Sequence, residues 1–159
     1  MEYSLFIDLD GVLCDFDGAV RAVFGRNPDE LDPRDMWRRL ARTPGFYENL
    51  EWLPDGRELW NHVAGYSPTI LTGLPRGSWA EPQKRAWCRR ELGANVPVIT
   101  CMSREKTEKA RQATPEAAAM VLVDDRISVG ERWEAAGNLF IHHRSARESI
   151  AALSALGFV

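Results

Sequence analysis

FIDLDGVLCDF, residues 6–16, reads as an apolar strand that stops abruptly on two acids and a glycine. The run Tyr3–Ile7 is nearly continuous in apolar residues, the pattern of a strand buried on both faces of a parallel sheet. In an extended chain residues two apart share a side, so Asp8 and Asp10 point the same way. Gly11 permits the tight turn that must follow. Two converging carboxylates repel each other unless a cation sits between them, and oxygen donors of this kind favour Mg²⁺. A polar strand exit with two solvated aspartates is the plainer alternative.

Four more short apolar runs follow the first: Thr69–Leu71, Val96–Thr100, Met120–Val123 and Leu139–Ile141. Helical patterns lie between them. Pro82–Leu92 has proline in its first turn and glycine after its last residue. Arg104–Ala113, Val129–Ala136 and Ser145–Leu156 are similar. Strands alternating with helices predict βαβ units and an α/β fold with a doubly wound parallel sheet. Residues 15–64 hold no convincing strand, only helix-like pieces at Gly18–Phe24, Asp32–Arg42 and Asp55–Val63. They are expected to form a small helical cap over the C-terminal sheet edge, where open α/β folds bind ligands. The core is then 1–14 with 65–159, and the whole is one compact unit.

Three further segments carry chemistry. MVLVDDR, residues 120–126, is a second apolar strand ending in paired acids, Asp124 and Asp125. Two such ends on one parallel sheet open onto the same ligand-binding edge. In TILTGLPRG, residues 69–77, a strand ends at Thr72 with Gly73 behind it. A hydroxyl beside backbone N–H groups at such a turn makes a phosphate cradle, although Thr-Gly is by itself an ordinary turn. A phosphate among carboxylates also needs a fixed cation. Lys106 and Lys109 precede the second acidic strand, and Lys84 lies in the helix before that.

In these segments the chain resembles the haloacid dehalogenase-like phosphohydrolases. Their pattern is a strand ending DxDGxxxD, a strand ending in Ser or Thr, a lysine, and a strand ending in paired acids. Here the matching positions are Asp8, Asp10, Gly11 and Asp15, then Thr72, a lysine, and Asp124-Asp125. DLDGVLCDF, FYENLEWLPDG, ILTGLP, EPQKRAWCRRELG, SREKT and LVDDR are more similar still to the 5′(3′)-deoxyribonucleotidase branch.

The resemblance implies a Mg²⁺-dependent phosphomonoester hydrolase. Asp8 would be the nucleophile that forms an aspartyl-phosphate, and Asp10 the acid that protonates the leaving oxygen and later activates water. That second aspartate points to phosphate transfer rather than to the family's dehalogenase chemistry. Mg²⁺ would be held by Asp8, the Asp10 backbone carbonyl and Asp125, with Asp124 orienting metal-bound water or Lys106. Thr72, Gly73 and Lys106 would bind phosphoryl oxygens. SREKT favours Lys106 over Lys109 and Lys84, though the spacer to Asp124 is longer than in the family pattern. Phe16, Phe46 and Tyr47 match aromatics that stack on a nucleobase in the resembling nucleotidases; packing of the cap on the core is their other reading.

Composition excludes little and fits this picture. The 159 residues carry a net charge of −3 and 45% hydrophobic residues, an ordinary globular composition that argues for neither nucleic acid nor membrane as partner. Charge is uneven: residues 1–75 hold 13 acids and 7 bases, residues 76–111 hold 4 acids and 9 bases. Cys14, Cys88 and Cys101 form no CxxC pair, as suits a reducing, cytoplasmic setting. His142 and His143 are adjacent on a strand, so they face opposite ways and make a poor chelate. The expected substrate is a small phosphate monoester, foremost a nucleoside monophosphate, and the expected state a monomer or homodimer. Two rival readings are a phosphatase acting on nucleic-acid 3′ ends and a catalytically idle binding module. The first needs an open basic groove, and the second sits badly with retention of every required acid.

Overall fold

The computed structural model describes residues 3–116 and 119–159; Met1 and Glu2, at the head of the expected core, and Ala117 and Ala118 lie outside them. Five strands, β1 (Tyr3–Ile7), β2 (Thr69–Gly73), β3 (Val98–Cys101), β4 (Ala119–Asp124) and β5 (Leu139–His142), form one sheet in the order β3-β2-β1-β4-β5. Every pairing is parallel. The expected α/β sheet is present, with β2 two residues longer than its apolar run and β3 starting after Pro97.

Alternation in the strands explains why helices cover both faces. Leu5, Ile7, Val121 and Val123 point into one apolar cluster, while Phe6, Met120 and Leu122 point into another. The second cluster is closed by Ala110 of α5 (Lys106–Ala113) and by Val129 and Trp133 of α6 (Ile127–Ala135). The first holds residues of α1 (Phe16–Phe24), α2 (Pro33–Ala41), α3 (Gly56–Val63), α4 (Ala80–Glu91) and α7 (Ala146–Ala155). With β1 central, the chain runs outward through β2 and β3, then returns to β4 beside β1. The ends of β1 and β4 therefore meet at the topological switch point, where such sheets bind ligands.

The insert is shorter than expected. Leu59 and Val63 of α3 are fully buried in the main cluster, and Asp55 before it accepts a hydrogen bond from the Ala146 N–H at the start of α7 (2.7 Å). Helix α3 thus flanks the sheet as the crossover into β2. The chain leaves and rejoins the core as a short pair of extended segments, Asp15 N–H to Glu51 O (2.9 Å) and Leu53 N–H to Leu13 O (2.8 Å). What lies between, with α1 and α2, is the cap. It is fastened to α4 through Tyr47 N–H to Gln83 Oε1 (2.8 Å), Trp87 Nε1–H to Leu50 O (2.9 Å) and Arg90 to Glu48 O (2.7 Å).

Candidate active site

After β1 the chain winds into a tight turn: the Leu9 carbonyl accepts from the N–H groups of Val12, Leu13 and Cys14. Gly11 takes a left-handed φ of 79° there, which L side chains adopt only at a cost. Asp8 is tied to β4 by its own N–H, which donates to Val123 O (3.0 Å). The two acidic strand ends are thereby locked side by side.

Asp8 and Asp124 are buried and share one cation. Lys106, at the first residue of α5, donates to Asp8 Oδ1 (3.1 Å) and to Asp124 Oδ2 (2.7 Å). Asp124 Oδ1 accepts from the Arg126 N–H (3.0 Å), so both its oxygens are engaged. Burial, with the Asp124 charge beside it, pushes the Asp8 carboxyl well above the usual range despite the opposing pull of Lys106. Burial by itself would lower the Lys106 ammonium, but Asp8 and Asp124 together outweigh it and hold the lysine charged. Asp125 is partly exposed and opens on the cavity, and burial and the Asp124 charge push it up to about 7.

Lysine supplies three N–H donors and no acceptor. Lys106 has two acceptors among the described residues and lines the cavity, with one N–H uncommitted. Lys84, in α4, has all three engaged: Asp10 Oδ2 (2.9 Å), Thr72 Oγ1 (2.9 Å) and the Gly73 carbonyl (2.7 Å). Its ammonium also sits 4.5 Å from the centroid of the Tyr47 ring. It is only 2% exposed and lines no part of the cavity. Lys109 makes no contact with these acids. The sequence left these three lysines open; the fold gives two of them different partners.

Thr72 departs from expectation. It is fully buried, its oxygen accepts from Lys84, and it lines no part of the cavity. The neighbouring Leu74 N–H is spent on Cys101 O (2.8 Å), which thins the expected cradle. Gly73 reaches the cavity wall, packed so tightly on Ser103 that a Cβ there would lie 2.3 Å from its Oγ.

The cavity is a cleft of about 940 Å³ between the sheet edge and the cap. Asp8, Asp10, Gly11, Asp125 and Lys106 lie in its wall, and the cap contributes Phe16, Trp37 and Tyr47. Phe16 stacks on Tyr47 (centroids 6.1 Å apart, 23° between planes) and lies 5.9 Å from Trp37. Phe46 is a correction to the expected set. It is 5% exposed, packs edge-on against Phe16 and Tyr47, and has no part in the cavity wall. Trp37 and Trp79 line the cleft as well, outside the set expected from the sequence. The i, i+4 recurrence of Pro33, Trp37 and Ala41 on one face of α2 was the available signal. Arg34, Arg38, Arg76 and Arg126 line the same cleft.

Outside the cleft, His142 and His143 do diverge, to the Asp125 carbonyl (Nε2, 3.0 Å) and to Ser149 Oγ (Nδ1, 2.7 Å). Cys14 is buried, and burial pushes its thiol well up, away from the reactive thiolate.

Oxygens of Asp8, Asp124 and Asp125 lie within 4.8 Å of one another. Three carboxylates gathered so closely, two with raised pKa values, are short of positive charge. This hard oxygen donor set fits Mg²⁺, and Asp8 and Asp125 are its members in the cavity wall.

No family model matches the chain, and no curated protein matches it in sequence. Solved structures do match in fold. A hydrolase from Streptococcus pneumoniae TIGR4 superimposes with a TM-score of 0.59 at 15% identity, over 97% of this chain and 100% of that one. A HAD-superfamily hydrolase of subfamily IA, variant 1, from Geobacter sulfurreducens PCA gives 0.57 at 16% identity, over 96% and 100%. No helix among the described residues is long and apolar enough to cross a membrane. By these likenesses the chain has the fold of the haloacid dehalogenase-superfamily hydrolases.

Proposed function

We propose that the chain is a phosphomonoester hydrolase that works through an aspartyl-phosphate on Asp8. The observation that carries this is the charge arrangement at the switch point. A buried Asp8 is held by Lys106, which lines the cleft with one N–H uncommitted among the described residues, and Asp10 lies two residues further on. A phosphate monoester entering the cleft accepts a hydrogen bond from Lys106 on a non-bridging oxygen. Asp8 attacks phosphorus; the new Asp8 O–P bond forms as the bond to the leaving oxygen breaks. Asp10 Oδ1 is buried without a partner among the described residues, while Oδ2 is fixed by Lys84. Asp10, in the cleft wall, gives a proton to the leaving alkoxide, so that a free alcohol departs. Asp10 then takes a proton from water, which attacks the acyl-phosphate, frees inorganic phosphate and restores Asp8.

Asp8, Asp125 and the Asp10 carbonyl would hold Mg²⁺, which offsets negative charge on the phosphoryl group when bound. Asp124, with both oxygens engaged, positions Lys106 and the Arg126 backbone rather than binding the ion directly.

For the substrate we infer a compact ester with a flat ring, foremost a nucleoside monophosphate. The support is the cap's aromatic lining, Phe16, Trp37 and Tyr47, over a cleft of about 940 Å³. The testing experiment is a panel of nucleoside monophosphates, sugar phosphates and 3′-phosphorylated oligonucleotides, assayed with and without Mg²⁺. Nucleoside monophosphates are expected to lead and EDTA to silence the reaction. The four cavity-lining arginines favour the rival reading, and oligonucleotides leading the panel would establish it instead.

A further inference from the structure

The structure holds a second buried lysine, which the reaction above gives no contact with the phosphate. Lys84 projects from the second turn of α4 toward the same strand ends as Lys106, yet its surroundings differ in kind. Its three N–H groups meet three acceptors, on Asp10, Thr72 and Gly73, each within 2.9 Å. Nothing remains to offer a phosphoryl oxygen, and the cleft does not reach it. A buried ammonium is costly unless each donor is satisfied, so this geometry is tightly determined.

We propose that Lys84 is a positioning residue for the acid–base group: it fixes the Asp10 carboxyl through Oδ2. Two of its acceptors belong to the end of β2, so Asp10 is referenced to the rigid sheet rather than to the mobile end of its own side chain. The fourth contact adds the cap. The Tyr47 ring packs on the Lys84 ammonium, and the Tyr47 N–H donates to the neighbouring Gln83. One turn of α4 thereby sets both the acid and the ring that lines the cleft. Positioned general acids contribute roughly 10²–10⁴-fold to rate, which gives the size of effect at stake. The proposal rests on the phosphatase reading of Asp8 and Asp10.

The test uses leaving groups. A nucleoside 5′-monophosphate expels a poor alkoxide that needs the proton, whereas p-nitrophenyl phosphate expels a stable phenolate that does not. With Mg²⁺ present, Lys84→Met is expected to lower kcat for the nucleotide by ~10²-fold or more and for p-nitrophenyl phosphate by less than ~10-fold. KM should move little for either. In an Asp10→Asn background, Lys84→Met should cost nothing further, because residues acting as one unit are not additive. Should Lys84→Met not fold by circular dichroism, Lys84→Gln, which keeps an N–H donor, takes its place. Equal losses on both substrates with a raised KM would make Lys84 a phosphate ligand and overturn the proposal. Multiplying effects in the double variant would overturn it too. A wild-type protein inactive on every monoester overturns the phosphatase reading, and this assignment with it.

Discussion

A Cβ on Gly11 would lie 2.1 Å from Oδ2 of Asp125, so the loop after β1 and the acidic end of β4 meet where only glycine fits. The left-handed φ of Gly11 makes the same demand independently. Gly11→Ala is therefore expected to cost about 1–3 kcal/mol of stability and to push the Asp125 carboxylate off its place. Thermal melting together with a Mg²⁺ titration measures both. An unchanged Mg²⁺ affinity in the folded variant would remove Asp125 from the metal site.

Asp8→Asn keeps the size of the side chain but not the nucleophile. Hydrolysis is expected to fall on the order of 10⁴-fold or more, with circular dichroism unchanged, since Lys106 retains Asp124 as a partner. Substantial turnover by the folded variant would end the covalent mechanism.

The paired acids of β4 should separate cleanly. Asp124 is fully buried on Lys106, and Asp124→Ala strips that lysine of its shorter ion pair. Breaking a buried pair typically costs about 3–5 kcal/mol, which a denaturant midpoint would register. Asp125→Ala should barely affect the midpoint yet weaken Mg²⁺ binding far more than its neighbour does. The opposite ranking in Mg²⁺ titrations would hand the direct contact to Asp124.

How much of this was readable in the chain follows from what kind of interaction fixes each part. Asp8, Asp10, Asp124 and Asp125 stand at the ends of apolar runs, and a parallel sheet must bring such ends to one edge. Local pattern therefore implied their meeting. Lys84 and Lys106 were not separable by pattern, because each sits in a polar helix and its target depends on how that helix docks. Phe46 and Tyr47 are adjacent, and only the docking of the cap on Gln83 and Trp87 decides that Tyr47 reaches the cleft. Helix α3 falls in the strand-free stretch 15–64, so local pattern groups it with the cap; its burial against α7 is a long-range packing fact that no local signal carries.

Proton linkage gives a prediction that needs no substrate. Asp8 and Asp125 titrate above their unfolded values, Asp125 at about 7, chiefly through burial. Between the unfolded and folded values the folded chain binds more protons than the unfolded one. These groups therefore favour the metal-free fold at low pH, and the Asp125 contribution is lost as pH rises through about 7. Mg²⁺ held as proposed would bind the ionised carboxylates and so compete with those protons. Its stabilisation, about 2.7 kcal/mol at a hundred times Kd, should be fully expressed at pH 8 and much reduced at pH 5.5. Differential scanning fluorimetry with Mg²⁺ or EDTA at the two pH values reads this as a larger rise in Tm at pH 8. Equal rises would detach the ion from this cluster.

The cap rings are expected to divide into one that recognises and one that packs. Phe46 is buried away from the cleft, so Phe46→Ala should act as a core truncation, costing about 3–5 kcal/mol. Where it remains folded, it should lower activity on nucleotides and on p-nitrophenyl phosphate alike. Trp37 lies in the cleft wall, half-buried and 5.9 Å from Phe16, so Trp37→Ala removes a ring surface a base can stack on. Stacking of that kind is worth about 1–3 kcal/mol, or roughly 5- to 150-fold in kcat/KM for a nucleoside monophosphate. For p-nitrophenyl phosphate, which has no nucleobase, the loss should stay within about threefold by the same arithmetic. Comparing the two ratios of kcat/KM, variant over wild type, decides the matter. Equal losses on both substrates for Trp37→Ala would mean that this ring, like Phe46, packs the cap, and would withdraw the aromatic argument for a nucleotide substrate.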